Sequence, residues 1–379
     1  MVQRVGLIGC GVISDIYLTN AALFGDIDIT ACADLRPEAA QAKAEHYAIR
    51  AMSIAELLAS DVDIVLNLTN PEAHVEVSLA ALAAGKHVYT EKPLATRLAD
   101  GEAIVLAAKA AGLRVGAAPD TVLGIGVQTA RRLIGDGSTG EIVSGVATVM
   151  SRGMEHWHPA PAYYFQPGGG PVLDMGPYYV AALVTLLGPV SRVFATGRRG
   201  LAERVVTAEG PNRGTTIPVA IDTTIHAVLS FVSGAQVTLL ASWDVWKHGH
   251  TPIELHGVGA SLRVPDPNFF GGTVEIARDR DAWHGIDTAG ERFGRPNYPQ
   301  ANPVHANYRG LGLAEMAAAI EAGRPHRLDG DFALHTLDVL MAVGISSAEE
   351  RAVAITSTCH QPAPLGVPEA LALLADRRG

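Results

Sequence analysis

Short apolar runs alternate with amphipathic stretches through the first third of the chain. The runs 2–9, 28–33, 62–68, 87–89 and 114–117 read as buried strands. Between them, segments 13–24, 37–47, 54–58, 70–84 and 98–111 place apolar residues at helical spacing, and Gly85 supplies a stop. Continuous apolar strands separated by helices predict a parallel sheet covered on both faces. After a linking helix over 123–134 the pattern changes to period-two alternation at 143–150, 190–198, 223–231, 236–242 and 253–256. Ser233-Gly234 reads as the turn of a hairpin, and helices are predicted over 307–322 and 332–348. The expected architecture is α/β: a doubly wound parallel-sheet domain over 1–121, then an α+β domain over 122–379 with a large, mostly antiparallel sheet. The helix over 332–348 is placed back against the first domain.

Composition narrows the class. The 379 residues suffice for two cores, and 48% hydrophobic with 18% charged residues describes a compact chain rather than a disordered one. A net charge of −10 without a basic run argues against nucleic acid as a partner. Cys10, Cys32 and Cys359 sit in apolar surroundings and read as small core residues in a reducing compartment. A first strand at Val2 leaves no room for a signal peptide, and no apolar run reaches the roughly 20 residues a bilayer requires. The expectation is a cytoplasmic protein with no membrane partner.

The first strand runs directly into Gly9-Cys10-Gly11-Val12-Ile13-Ser14, a G-x-G-x-x-S variant of the dinucleotide fingerprint. Gly9 permits the tight turn and Gly11 lets the backbone approach a pyrophosphate. Val12 and Ile13 lead into a helix whose N-terminus faces the phosphates, and Ser14 is small enough for helix–strand packing. Asp34 ends the second strand about 20 residues on, where its carboxylate accepts from ribose hydroxyls and repels a 2′-phosphate. That favours NAD, while Arg36 leaves NADP open. The loops carrying Gly9, Asp34, Thr69-Asn70 and Glu91-Lys92 all leave the carboxyl ends of strands and so line one cleft. This is the Rossmann arrangement.

Together Gly9-x-Gly11-x-x-Ser14, Asn70-Pro71-x-x-His74 and Glu91-Lys92-Pro93 resemble the glucose–fructose oxidoreductase, inositol dehydrogenase and MocA family (Gfo/Idh/MocA). The resemblance implies cofactor contacts from Gly9, Gly11, Val12, Ile13, Asp34, Thr69, Asn70, His74, Glu91 and Lys92. It also implies a cis peptide before the proline and a lysine between nicotinamide and substrate. A second stretch, Gly168-Gly169-Gly170 followed by Asp174-Met175-Gly176-Pro177-Tyr178, resembles the family's D-x-G-x-H signature, with tyrosine where many members have histidine. Asp174 reads as the N-cap of a helix whose first residue is Met175, with Pro177 in the first turn.

Oxidising a secondary alcohol needs a hydride acceptor and a base for the hydroxyl proton. Tyr178 is the candidate base. A free phenol, near pKa 10, is a poor base at neutral pH, but an adjacent ammonium and a helix N-terminus both favour its ionised form. Lys92 would stabilise charge on the reacting oxygen. Asp174 would orient the substrate or hold Lys92. A competing assignment makes Lys92 the proton donor and Tyr178 a positioner. Asp120, His156 and Trp157 are substrate-binding candidates, with Trp157 covering an apolar sugar face and His156 bonding a hydroxyl. His156-x-His158 and His248-x-His250 lack further ligands at familiar spacing, so no metal is expected.

The leading expectation is an NAD-dependent dehydrogenase of a sugar, cyclitol or sugar derivative. A non-redox enzyme using NAD transiently, as glycosidase relatives do, and a non-catalytic ligand sensor are the alternatives. The family's use of its open sheet face implies a homodimer or homotetramer.

Overall fold

The structure is a computed structural model that describes residues 2–280, 282–288, 291–297 and 306–375; the expected outer domain limits 1 and 379 lie outside them. In the first sheet, β1 (Gln3–Ile8), β2 (Ile27–Ala33), β3 (Arg50–Ala51), β4 (Ile64–Asn67), β5 (His87–Thr90) and β6 (Val115–Ala117) stand in the order β3-β2-β1-β4-β5-β6. Every pairing is parallel. The intervening helices are α1 (Ser14–Ala21), α2 (Pro37–Tyr47), α3 (Ile54–Ala59), α4 (His74–Ala83) and α5 (Leu98–Ala111). All four residues of β4 are buried, as a strand covered on both faces requires. The order reverses between β1 and β4, so a crevice opens at the carboxyl ends of those two strands.

A turn at Asp120–Leu123 and helix α6 (Ile125–Gly135) lead into β7 (Ile142–Met150), the short α7 (Pro171–Asp174) and α8 (Gly176–Leu187). The strands that follow are β8 (Val190–Arg198), β9 (Glu203–Val205), β10 (Thr216–Pro218), β11 (Thr224–Phe231), β12 (Gln236–Ser242), β13 (Ile253–Gly257), β14 (Ser261–Val264), β15 (Glu275–Ala277) and β16 (His284–Gly285). Then come α9 (Leu311–Glu321), α10 (Gly330–Glu349), β17 (Val353–Ala354) and α11 (Val367–Ala372). The second sheet runs β16-β15-β14-β13-β7-β12-β11-β8-β17 and is antiparallel except for β7–β12. Its strands alternate buried and exposed positions, with β11 reading Ile225, Ala227, Leu229 and Phe231 inward. Helix α8 is buried along its whole length, which explains why its sequence is apolar on every side. No helix among the described residues is long and apolar enough to cross a membrane.

Three departures from the sequence expectation have physical causes. The helix expected from 332 starts at Gly330, because the Asp329 carboxylate accepts from Phe332 N–H at 2.9 Å as its N-cap. It packs on α5 and β6 of the first sheet as well as on α8 and β8 of the second. The helix expected from 307 starts only at Leu311, since Gly310 turns through φ +104°. Around 171–178 the chain forms two helices rather than one. Pro171 opens α7 after Gly170 at φ +101°, and Asp174 closes it. Met175, without a side-chain cap bond, stands at the N-cap of α8, so Asp174 is not the cap.

Candidate active site

The glycine loop is built by packing before any ligand arrives. A Cβ on Gly9 would lie 2.6 Å from the Leu68 carbonyl carbon, and φ is +104°, so close strand approach and backbone conformation both demand glycine. A Cβ on Gly11 would meet nothing within 4 Å. Open space there, at the start of α1, is what a dinucleotide pyrophosphate needs. Ser14, fully buried, donates from Oγ to the Gly11 carbonyl at 2.6 Å and closes the turn. Asp34 stands beside the loop: Oδ2 accepts from Cys10 N at 2.8 Å and Oδ1 from Arg36 N at 2.9 Å. Val12 is 92% exposed at the loop tip and Ile13 is the first residue before α1. These residues fit a nicotinamide dinucleotide at the end of β1.

The next two loops are braced against each other. Thr69 donates from N and Oγ1 to Asn67 Oδ1 (3.2 and 2.7 Å), and Asn70 is exposed at the following turn. His74 is buried, with Nδ1 2.7 Å from the Pro93 carbonyl and Nε2 3.0 Å from that of Thr69. The ring thus stands between the carbonyls of the two loops. The Glu91 carboxylate accepts from Tyr17 Oη at 2.9 Å and Lys92 N at 3.0 Å. Both residues position the loop that carries Lys92. The Lys92–Pro93 peptide is cis.

Lys92 is where the two sheets' loops meet. Its Nζ donates to the Asp174 carbonyl at 3.0 Å and lies 3.3 Å from Asp174 Oδ1. The carbonyl is one left unpaired where α7 ends, a natural seat for a cation. The same Nζ is 5.3 Å from the ring centre of Tyr178. Burial opposes the ammonium, but Tyr178, Asp174 and Glu91 outweigh it and hold Lys92 above the ordinary lysine range. Lys92 is thus a fixed cation. Tyr178 is buried in the first turn of α8.

A cavity of about 240 Å³ opens beside this group, lined by Lys92, Asp174, Tyr163, Tyr164, Gly168 and Gly169 among others. Gly169 packs tightly, a Cβ there falling 2.5 Å from the Tyr164 carbonyl oxygen, so the glycine run holds the tyrosine pair at the cavity wall. His156 and Trp157 are not in that lining; Trp157 is 58% exposed and meets His158 edge-on, which in turn meets Tyr164. Asp120 is not in that lining either; its buried Oδ2 accepts from Gly310 N at 2.8 Å and Gly312 N at 3.1 Å and so caps the start of α9. No group of three or more metal-ligating side chains assembles among the described residues.

Two features escaped the sequence reading. The Tyr163-Tyr164 doublet, just before the glycines, was a legible aromatic signal. Arg309 was not, for it lies 131 residues from Tyr178, whose hydroxyl its Nη2 reaches at 3.5 Å.

A Rossmann sheet joined to an open antiparallel sheet, with a lysine, a carboxylate and a tyrosine at the junction, defines a two-domain dinucleotide-dependent oxidoreductase fold. Residues 3–118 match the profile described as "Oxidoreductase family, NAD-binding Rossmann fold", and residues 127–263 match the GFO/IDH/MocA C-terminal domain. The chain belongs to the Gfo/Idh/MocA family. Inositol 2-dehydrogenase of Salmonella paratyphi B is 32% identical over 120 residues, 30% of this chain and 36% of that enzyme. The match thus spans about a third of that relative's length. An NAD-binding oxidoreductase from Klebsiella pneumoniae superposes with TM-score 0.79 at 23% identity, covering 94% of this chain and 99% of that one. Levoglucosan dehydrogenase, solved with NADH and L-sorbose, gives 0.78 at 23% identity, covering 94% and 99%. At these identities the structures establish likeness of fold.

Proposed function

We propose that this protein is a dehydrogenase that transfers a hydride between a nicotinamide cofactor and a secondary alcohol of a sugar, cyclitol or sugar derivative. The single observation that carries the reading is the grouping of Lys92, Asp174 and Tyr178, with Lys92 and Asp174 lining one cavity and the Tyr178 ring 5.3 Å from the Lys92 ammonium. The names of the inositol and levoglucosan dehydrogenases agree with it. The nicotinamide, when bound, supplies the hydride acceptor.

The protein supplies the rest. Gly11 and the start of α1 hold the pyrophosphate, with Thr69 and Asn70 along the same cleft. Asp34 takes the ribose hydroxyls and favours NAD, while Arg36, 69% exposed beside it, is the residue through which NADP is admitted. Lys92 stays charged, so it serves as a hydrogen-bond donor to the reacting oxygen rather than as a proton carrier. Asp174 fixes that ammonium, and the Tyr178 hydroxyl exchanges the substrate proton. The polyol ring sits against Tyr163 and Tyr164. Three buried, unpaired cysteines agree with a cytoplasmic setting. The outer face of the second sheet, where Phe194 is 50% exposed with Val228 beside it and Val146 further along the same cross-strand row, supports a homodimer or homotetramer.

The test is an NAD(P)-reduction screen over sugars, sugar acids, inositols and glycosides. NADH accumulating one-for-one with a ketone or lactone is the expected result. Product without net NADH would replace dehydrogenation by transient cofactor use, and tight NAD binding with no turnover across the panel would make the protein a sensor. On the best substrate, Tyr178→Phe lowers kcat roughly 10²-fold or more while NADH still binds.

A further inference from the structure

One part-buried cation close to Tyr178 has no role in the site as described so far. Arg309 sits just before the Gly310 turn, and its position is closely fixed. Its N–H and Nη1 both reach Asn307 Oδ1 (3.3 and 3.1 Å), and its carbonyl accepts from Asn20 Nδ2 at 3.0 Å. Among the described residues it forms no ion pair with a carboxylate. Burial works against the guanidinium, and the proximity of Tyr178 and Glu91 outweighs it, so the charge is retained. A guanidinium partly withdrawn from water and held in place without a paired carboxylate is costly, which marks the position as one with a specific task.

We propose that Arg309 is the positioning residue for the Tyr178 hydroxyl, fixing the direction in which that hydroxyl gives and takes its proton. A guanidinium has five donors and no acceptor. Any hydrogen bond between Arg309 Nη2 and Tyr178 Oη therefore uses a lone pair of the phenolic oxygen, and the phenolic proton has to point elsewhere. Lys92 lies over the face of the ring and gives its hydrogen bonds to Asp174. With a donor at its oxygen and no protein acceptor among its described partners, the hydroxyl has its proton left for an oxygen arriving in the cleft. When the proton moves the other way, negative charge that develops on the phenolic oxygen meets a guanidinium held 3.5 Å away.

The inference rests on Tyr178 being the proton carrier, so the test separates the two. The whole 379-residue chain with NAD is assayed on the polyol that the screen turns over best, as wild type, Arg309→Gln, Arg309→Lys, Tyr178→Phe and the Tyr178→Phe/Arg309→Gln double variant. Arg309→Gln is expected to lower kcat roughly 10- to 100-fold with KM and NADH affinity nearly unchanged, and to enlarge the solvent deuterium isotope effect on kcat. Arg309→Lys restores part of the loss, and in the Tyr178→Phe background the Arg309 change has little further effect. Independent, multiplicative losses in the double variant would overturn the inference, as would a raised KM at unchanged kcat, which would make Arg309 a substrate ligand. If Tyr178→Phe alone keeps wild-type kcat, the reading of Tyr178 falls and this inference falls with it. If only Arg309→Gln is silent, the inference alone falls. Unchanged thermal melting of Arg309→Gln separates a local effect from a folding defect.

Discussion

Gly9 and Gly11 stand two positions apart in one loop and answer to different forces. Gly9 is required by the fold itself, through its positive φ and the Leu68 backbone 2.6 Å from where a Cβ would sit. Gly11 has open space and an ordinary φ, so only a bound dinucleotide would notice a methyl group there. Gly9→Ala is therefore expected to lower stability by about 1–3 kcal/mol, visible as a reduced Tm without any ligand. Gly11→Ala should leave the unliganded Tm within about 1 °C and weaken NADH binding tenfold or more in a fluorescence titration. Equal loss of Tm in both would contradict the assignment. At this scale the legible residues were those in compact signatures, such as Lys92 within Glu91-Lys92-Pro93. Arg309 was illegible because its relation to Tyr178 exists only after the chain has folded. Asp120, His74 and Glu91 have the chemistry of ligands, and only the folded chain reveals that they also brace loops or cap a helix.

Elements were readable where the pattern was long. Strands β8 and β12 span the residues that alternation predicts, and α2 and α5 coincide with their apolar periods. Strands β9, β10 and β15 have three residues each, too few to display a period. The start of α9 was hidden for another reason, since its cap comes from Asp120, 190 residues earlier than Gly310. This distant cap has a pH signature. Burial, only partly offset by the two N–H bonds and Arg309, raises the Asp120 carboxyl from 3.8 to about 6. The folded state then binds more protons than the unfolded chain between those values, so this group's contribution is full below about pH 4 and is lost as pH rises to about 6. Asp120→Asn should remove that slope, worth at most about 3 kcal/mol, in denaturant titrations across the interval. Asp120→Ala strands the N–H groups of Gly310 and Gly312 and should cost about 2 kcal/mol at every pH. A slope that survives in Asp120→Asn would assign the titration to another group.

For the whole molecule, the two-sheet plan was legible from the change of period near residue 141, but its interlocking was not. Helix α10 comes late in the chain and yet packs on α5 and β6, where Gly101 lies so close that a Cβ would be 3.0 Å from Leu337. Helix α9 also touches β6 and β2. A fragment ending at residue 121 would expose those surfaces to water. It is expected to aggregate or to show no cooperative melting, although it contains every residue of the dinucleotide loop. A fragment that melts cooperatively and binds NADH like the full chain would refute this.

The bonds between Lys92 and Asp174 link a loop of the first sheet to a helix of the second, and they use two of the ammonium's three N–H donors. Substrate arrival is consequently an addition to the clasp rather than its opening. A ligand that offers only a carbonyl takes the third N–H and makes no use of the carboxylate. A ligand with a neighbouring hydroxyl can accept from Lys92 and donate to Asp174, so that both members of the clasp engage it. Vicinal diols would then be gripped by the same two groups that hold the empty cleft together. The cleft would sort polyols from simple ketones before any hydride moves.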